Sequence, residues 1–124
     1  MTEANTLFSI HDLTHEDGSI SAVLLIDQHH NILKGHFPGH PVIPGACMLQ
    51  VVKEVLEHAL NQPTRLKKAD SLKFLSMIDP EITTEVQLHM SYRNNEDGSI
   101  IVNAKLSSSR SLHFKFQGSF VIEK

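Results

Sequence analysis

One segment of this chain carries helical periodicity, and everything around it alternates with period two. From Pro44 to Leu60 the apolar residues recur at Met48, Leu49, Val52, Val55, Leu56, Ala59 and Leu60, the spacing of one helix face. Lys53, Glu54, Glu57 and Asn61 fall on the opposite face, towards water. Pro44 suits a first helical turn, where its missing N–H has no partner to lose, and Asn61-Gln62-Pro63 ends the helix. Strands are expected at Leu7–Leu13 and Ile20–Asp27, flanking a turn at His15–Ser19, and from about Lys68 to Ile78. Others run from Glu85 to Arg93, through Val102, Ala104 and Leu106 after the turn at Asn94–Gly98, and through the last residues of the chain. In that last strand Leu112, Phe114, Phe116, Phe120 and Ile122 point one way, and His113, Lys115, Gln117 and Ser119 the other. Short turns pair strands antiparallel, and a single apolar helix face needs a sheet to cover it. The expectation is an α+β chain, one domain over residues 1–124, with one curved antiparallel sheet around one long helix.

Charge and composition narrow the function. With 11 basic and 14 acidic residues and a net charge of −3, the chain lacks the clustered cations that bind nucleic acid. No apolar run approaches a membrane span. The polar, acidic start has no basic region leading into an apolar stretch, so no signal peptide is expected. The single cysteine, Cys47, has no internal disulfide partner, which agrees with a reducing cytoplasm.

Backbone stiffness is concentrated between Gly35 and Gly45, in "GHFPGHPVIPG". This stretch holds three of the five prolines and three of the six glycines. Prolines at 38, 41 and 44 each fix φ and restrict the residue before them, while glycines at 35, 39 and 45 permit close backbone approach. Such a loop can hold a side chain without secondary structure, and His36 beside Phe37 is best placed to benefit. The loop delivers Gly45 to a helix start, where N–H groups and the dipole favour an anionic oxygen. A held imidazole and a helix N-terminus around one space suit a thioester: one moves the α-proton, the other stabilises enolate charge. The same composition equally describes a plain connection with His36 on its surface.

His36, Phe37, Pro38, Gly39, Pro41, Pro44 and Gly45 complete the pattern H-F-P-G-x-P-x-x-P-G. The stretch resembles the signature of the hotdog-fold 3-hydroxyacyl-acyl-carrier-protein dehydratases; "ILKG" before it and "KFLSMIDPE" at 73–81 are similar to the family's flanking segments. The resemblance implies a hotdog fold, with a long helix wrapped by the sheet. It implies that His36 removes the C2 proton, that the Gly45 N–H binds the thioester carbonyl, and that Phe37, Pro44 and Ala46 line the acyl tunnel. It further implies a homodimer or higher even oligomer with the tunnel between subunits. The substrate would ride on the phosphopantetheine of acyl carrier protein, with no other cofactor, and leave as a trans-2-enoyl thioester.

One position departs from that pattern. The family places Asp or Glu fourteen residues after the histidine, contributed from the other subunit, and here that residue is Gln50. An amide donates a hydrogen bond but has no proton to transfer at neutral pH. Three readings follow. His36 shuttles the proton alone while Gln50 orients the hydroxyl; or Glu54, one turn along, or His40 supplies the acid; or the site binds acyl thioesters without dehydrating them, as a thioesterase, isomerase or non-catalytic subunit. Glu54 also fits a solvated helix face. The histidine pairs 11/15, 29/30 and 36/40 lack the spacing or companions of a metal set, so no metal is expected. Cys47 near a helix start invites a nucleophile reading, against that of a small buried cysteine. "RLKK" at 65–68 offers a short basic surface for an acidic carrier.

Overall fold

A computed structural model describes residues 7–30, 33, 42–109 and 111–123. Its elements are β1 (Phe8–Glu16), β2 (Ser19–Ile26), α1 (Gly45–Leu60), β3 (Thr64–Phe74), β4 (Glu85–Asn94), β5 (Ile100–Ser107) and β6 (Leu112–Ile122). The strands form one sheet in the order β1-β2-β4-β5-β6-β3, with every neighbouring pair antiparallel. The α+β expectation holds: a curved six-stranded sheet wraps one helix, which is the hotdog fold. Among the described residues no helix is long and apolar enough to cross a membrane.

The turns follow from local chemistry. Asp17 and Gly18 close the β1–β2 hairpin at φ 47° and 78°, the left-handed pair that a two-residue hairpin matching strand twist needs. A Cβ on Gly18 would also meet the Tyr92 carbonyl oxygen at 2.8 Å. In the β4–β5 turn, Asp97 Oδ1 accepts from the Ser99 hydroxyl at 2.6 Å and the Ser99 N–H at 2.9 Å. Its Oδ2 accepts from Lys67 Nζ at 2.9 Å. The Ser99 hydroxyl, then Lys67, then the Ser99 N–H hold the Asp97 carboxyl well below the usual carboxylate range. Asn61 ends α1 in the left-handed region, and its N–H returns to the Glu57 carbonyl.

The core lies between α1 and the inner face of the sheet. Val51, Val52, Val55 and Leu56 of the helix are fully enclosed, as are Ile20, Leu24, Val86, Leu88, Val102, Leu106, Phe114 and Phe120 of the strands. Because the curved sheet covers more than one side of α1, burial extends beyond the expected stripe to Cys47, Val51 and Glu54. Glu54 is 7% exposed, which corrects its placement on a solvated face.

Two further expectations are corrected. The third strand starts and ends earlier than Lys68–Ile78, because the chain turns away after Phe74; Leu75–Ile78 is not strand. His113 and Ser119 are buried rather than outward. Near its start β6 is covered by the loop after β3 and by the turn from β5, so a residue on the outer side of the alternation is still enclosed there.

Candidate active site

The loop from Gly35 to Pro41, with His36, Phe37 and His40, lies outside the described residues. The chain is described again from Val42, which leads into α1. Pro44 is the extended residue before the helix, φ −64° and ψ 143°, rather than the first helical one. Its carbonyl accepts from the Cys47 N–H at 3.0 Å. Among the described residues no side chain caps this helix start, and no acidic residue lies in its first turn, so nothing in the first turn itself neutralises the positive end of the dipole.

Beside that helix end runs an apolar groove of about 490 Å³, with Pro44, Gly45 and Met48 on one wall and Phe74, Leu75 and Met77 on the other. Gly45 lets the Phe74 ring lie close against the helix start: a Cβ there would meet the ring at 2.7 Å. Phe74 stacks on Phe114 with ring centroids 5.1 Å apart. The far wall is open, with Phe74 56% and Met77 76% exposed. Of the residues expected to line a tunnel, Pro44 lines this groove, and Ala46 is exposed on the same turn.

Gln50 and Glu54 occupy another side of the helix. At 100° per residue, Gln50 stands roughly 140–160° around the axis from Gly45 and Met48. Its amide Nε2 donates to Glu54 Oε1 at 3.4 Å. Gln50 is half-buried and Glu54 buried, so the carboxyl absent from position 50 is present one turn further on. Cys47 lies near the same pair. Burial first, and then the negative charge of Glu54, push its thiol up from its ordinary value. A buried thiol that resists ionisation is a poor nucleophile, which leaves Cys47 in its packing role.

A buried cluster that sequence reasoning missed fixes the groove's far wall. His113 Nδ1 lies 2.8 Å from Ser76 Oγ and 3.3 Å from the Ser76 carbonyl oxygen; its Nε2 lies 2.8 Å from Ser108 Oγ. The Ser76 hydroxyl donates to the Leu112 carbonyl at 3.1 Å. That donation leaves Nδ1–H as donor to Ser76 and Nε2 as acceptor from Ser108. The imidazole therefore ties the loop carrying Leu75 and Met77 to β6. A histidine alternating with aromatics in "LHFKF" was the available signal, and it reads as a surface position without the tertiary contacts.

The "RLKK" residues are internally occupied: Arg65 faces Glu123 at 3.5 Å, Lys67 faces Asp97 at 2.9 Å and Lys68 faces Asp70 at 3.3 Å.

Residues 12–111 match the model of the ApeI-like family, described as the ApeI dehydratase. The chain belongs to this dehydratase family. No curated protein matches it significantly. Among solved structures it is similar to a candidate thioesterase from Lactococcus lactis, with TM-score 0.73 at 12% identity, covering 98% of this chain and 97% of that one. A conserved protein from Pseudomonas aeruginosa gives TM-score 0.68 at 15% identity, over 99% and 95%. The dehydratase heterocomplex ApeI:P from Xenorhabdus doucetiae gives 0.66 at 14%, over 90% and 96%. Identities this low establish the shared fold alone. Family membership rests on the match over 12–111.

Proposed function

We propose that this chain dehydrates 3-hydroxyacyl thioesters, carried on acyl carrier protein, to trans-2-enoyl thioesters in the cytoplasm. In this reading His36 takes the C2 proton and the Gly45 N–H at the helix start stabilises the enolate oxygen. The acyl chain lies along the groove of Pro44, Met48 and Phe74. The observation that carries the reading is the Gln50–Glu54 pair. Gln50 orients the leaving hydroxyl, and Glu54, within reach of its amide, is the acid that releases it as water. Phosphopantetheine brings the substrate, and the chain needs no cofactor of its own.

The opposed placement of Gly45 and Gln50 around α1 supports a site shared by two copies, one supplying the helix end and the other the Gln50–Glu54 pair. Edge strand β3, with exposed Leu72 and Phe74, and the loop after it, with exposed Leu75 and Met77, offer apolar surface for such a homodimer. The dehydratase heterocomplex among its structural neighbours favours a second arrangement, in which a different chain completes the site and this one mainly binds the acyl thioester. Incubating the purified chain alone with a short 3-hydroxyacyl thioester and following the enoyl product by mass spectrometry separates the two. Turnover that disappears in His36→Ala, with sedimentation as a dimer, is the expected result. No turnover, from a folded dimer, refutes self-sufficient dehydration.

A further inference from the structure

The outer face of the sheet carries a feature that dehydration does not use. Strand register sets His89 opposite Lys105, Lys105 opposite Lys115, and Lys115 opposite Lys73. Three lysines and an imidazole thus stand in one exposed row across β4, β5, β6 and β3. Like charges directly opposite one another on neighbouring strands destabilise a sheet. Among the described residues Lys53, Arg65, Lys67 and Lys68 each face a carboxylate, whereas Lys73, Lys105 and Lys115 face one another. Protection of a sheet edge explains a lysine on β3, but β5 and β6 are interior strands. The next row is neutral and hydrogen-bonding, with Ser91, Asn103, Gln117 and Ser71 in register. The two rows line a concavity of about 310 Å³.

We propose that this concavity binds a diphosphate group. Three lysines on adjacent strands about 4.8 Å apart leave two gaps, one for each phosphoryl group. Lysine ammonium groups there supply charge-assisted bonds to the phosphoryl oxygens. The side-chain amides of Asn103 and Gln117 and the Ser71 hydroxyl donate to the oxygens that remain. An anion in this position removes the repulsion within the row, so binding also stabilises the fold. The site lies on the sheet face opposite the groove, one residue from Phe74 along β3, and it stands whether or not the chain dehydrates acyl thioesters.

The test is calorimetric titration of the full chain with inorganic pyrophosphate, ADP and inorganic phosphate at physiological salt, with thermal unfolding alongside. Saturable one-to-one binding is expected, with pyrophosphate at least about 10-fold tighter than inorganic phosphate because both gaps are filled. ADP tighter than pyrophosphate identifies a nucleotide ester as the source, and the reverse identifies the free diphosphate. Lys105→Gln with Lys115→Gln should weaken binding at least about 10-fold, while the unliganded variant melts no lower than wild type once the repulsion is gone. Asn103→Leu with Gln117→Leu should weaken it several-fold. Unsaturable binding, or unchanged affinity in the Asn103/Gln117 variant, reduces the row to a diffuse counter-ion surface and overturns the proposal. So does silence towards all three anions, including the case in which an acidic protein occupies the face instead.

Discussion

Replacing Glu54 with Gln is the sharpest probe of the proposed chemistry. The two side chains have nearly the same shape, and the amide can keep its contact with Gln50, 3.4 Å away in the native pair. Packing around this buried position is therefore preserved, and unfolding by urea should be close to wild type. What the change removes is the acidic carboxyl proton, since an amide has none to transfer at neutral pH. Loss of a positioned acid costs on the order of 10²–10⁴ in rate, which is about 3–5 kcal/mol of transition-state stabilisation. Since the proton moves only in the transition state, kcat should carry the loss while KM stays nearly constant. Adding Gln50→Glu to the Glu54→Gln chain returns a carboxyl one turn nearer the helix start, at the family's usual position. Recovery of about 10-fold is expected, below a full acid because the surroundings are not tuned to it. In the wild-type background Gln50→Glu sets two carboxyls side by side, so one of them titrates high. Its extra activity should fade on the alkaline side as that proton is lost. The assay is steady-state turnover of a 3-hydroxyacyl thioester, with enoyl product measured by mass spectrometry and folding checked by circular dichroism. An unchanged kcat in folded Glu54→Gln would remove Glu54 from the mechanism and leave His36 to move both protons.

Three other expectations concern the fold and its titration. Gly118→Ala places a Cβ against the Lys68 carbonyl and 2.6 Å from the Phe116 ring; overpacking there should cost about 1–3 kcal/mol, read as a lower urea midpoint at unchanged m-value, and an unmoved midpoint means β3 yields freely. The Asp97 carboxyl titrates below its unfolded value, so its contribution to stability is present above about pH 4 and is lost as pH falls towards the folded value. Asp97→Asn should flatten that acid limb, as followed by unfolding across pH. The Cys47 thiol titrates above its ordinary value, so its contribution is complete below about pH 8.5 and declines as pH rises through the folded value. Thiolate absorbance should show this raised value falling in Glu54→Gln, because burial remains while the neighbouring charge is removed.

The helix was legible because its period runs unbroken from Met48 to Leu60 and nothing else in the chain competes with it. The hairpin at Asp17-Gly18 was legible for a local reason, the backbone angles those two residues tolerate. Glu54 was misplaced because a helical pattern shows one apolar face, while a curved sheet encloses flanking positions that only tertiary structure defines. His113 failed similarly: its alternation is that of an outward residue, and the loop that covers it arrives from thirty-seven residues away in sequence. The lysine row was invisible for another reason. Lys73, Lys105 and Lys115 are scattered along the chain, and only strand register aligns them. Of the candidate site, Pro44, Gly45, Ala46, Gln50 and Glu54 can be placed, and the residues from Gly35 to Pro41 lie outside the description.

The irregular pairing of β3 with β6 has a consequence for how this chain can vary. Register shifts occur between Leu66 and Lys68 and again between Ala69 and Ser71. From Leu66↔Phe120 to Phe74↔Phe114, β3 advances eight residues while β6 advances six. Each bulge shifts the alternation of β3 by one residue along its own sequence, while the face of every paired residue follows its partner on β6. Phe74 thus shares the inner side with Phe114, and Lys73 the outer row with Lys115. The two bulges are where this strand can change length. Losing a surplus residue there straightens the strand and leaves the inside and the outside where they are. Losing a paired residue instead slips the register beyond it, putting a cation against Gly45 and an aromatic ring into solvent.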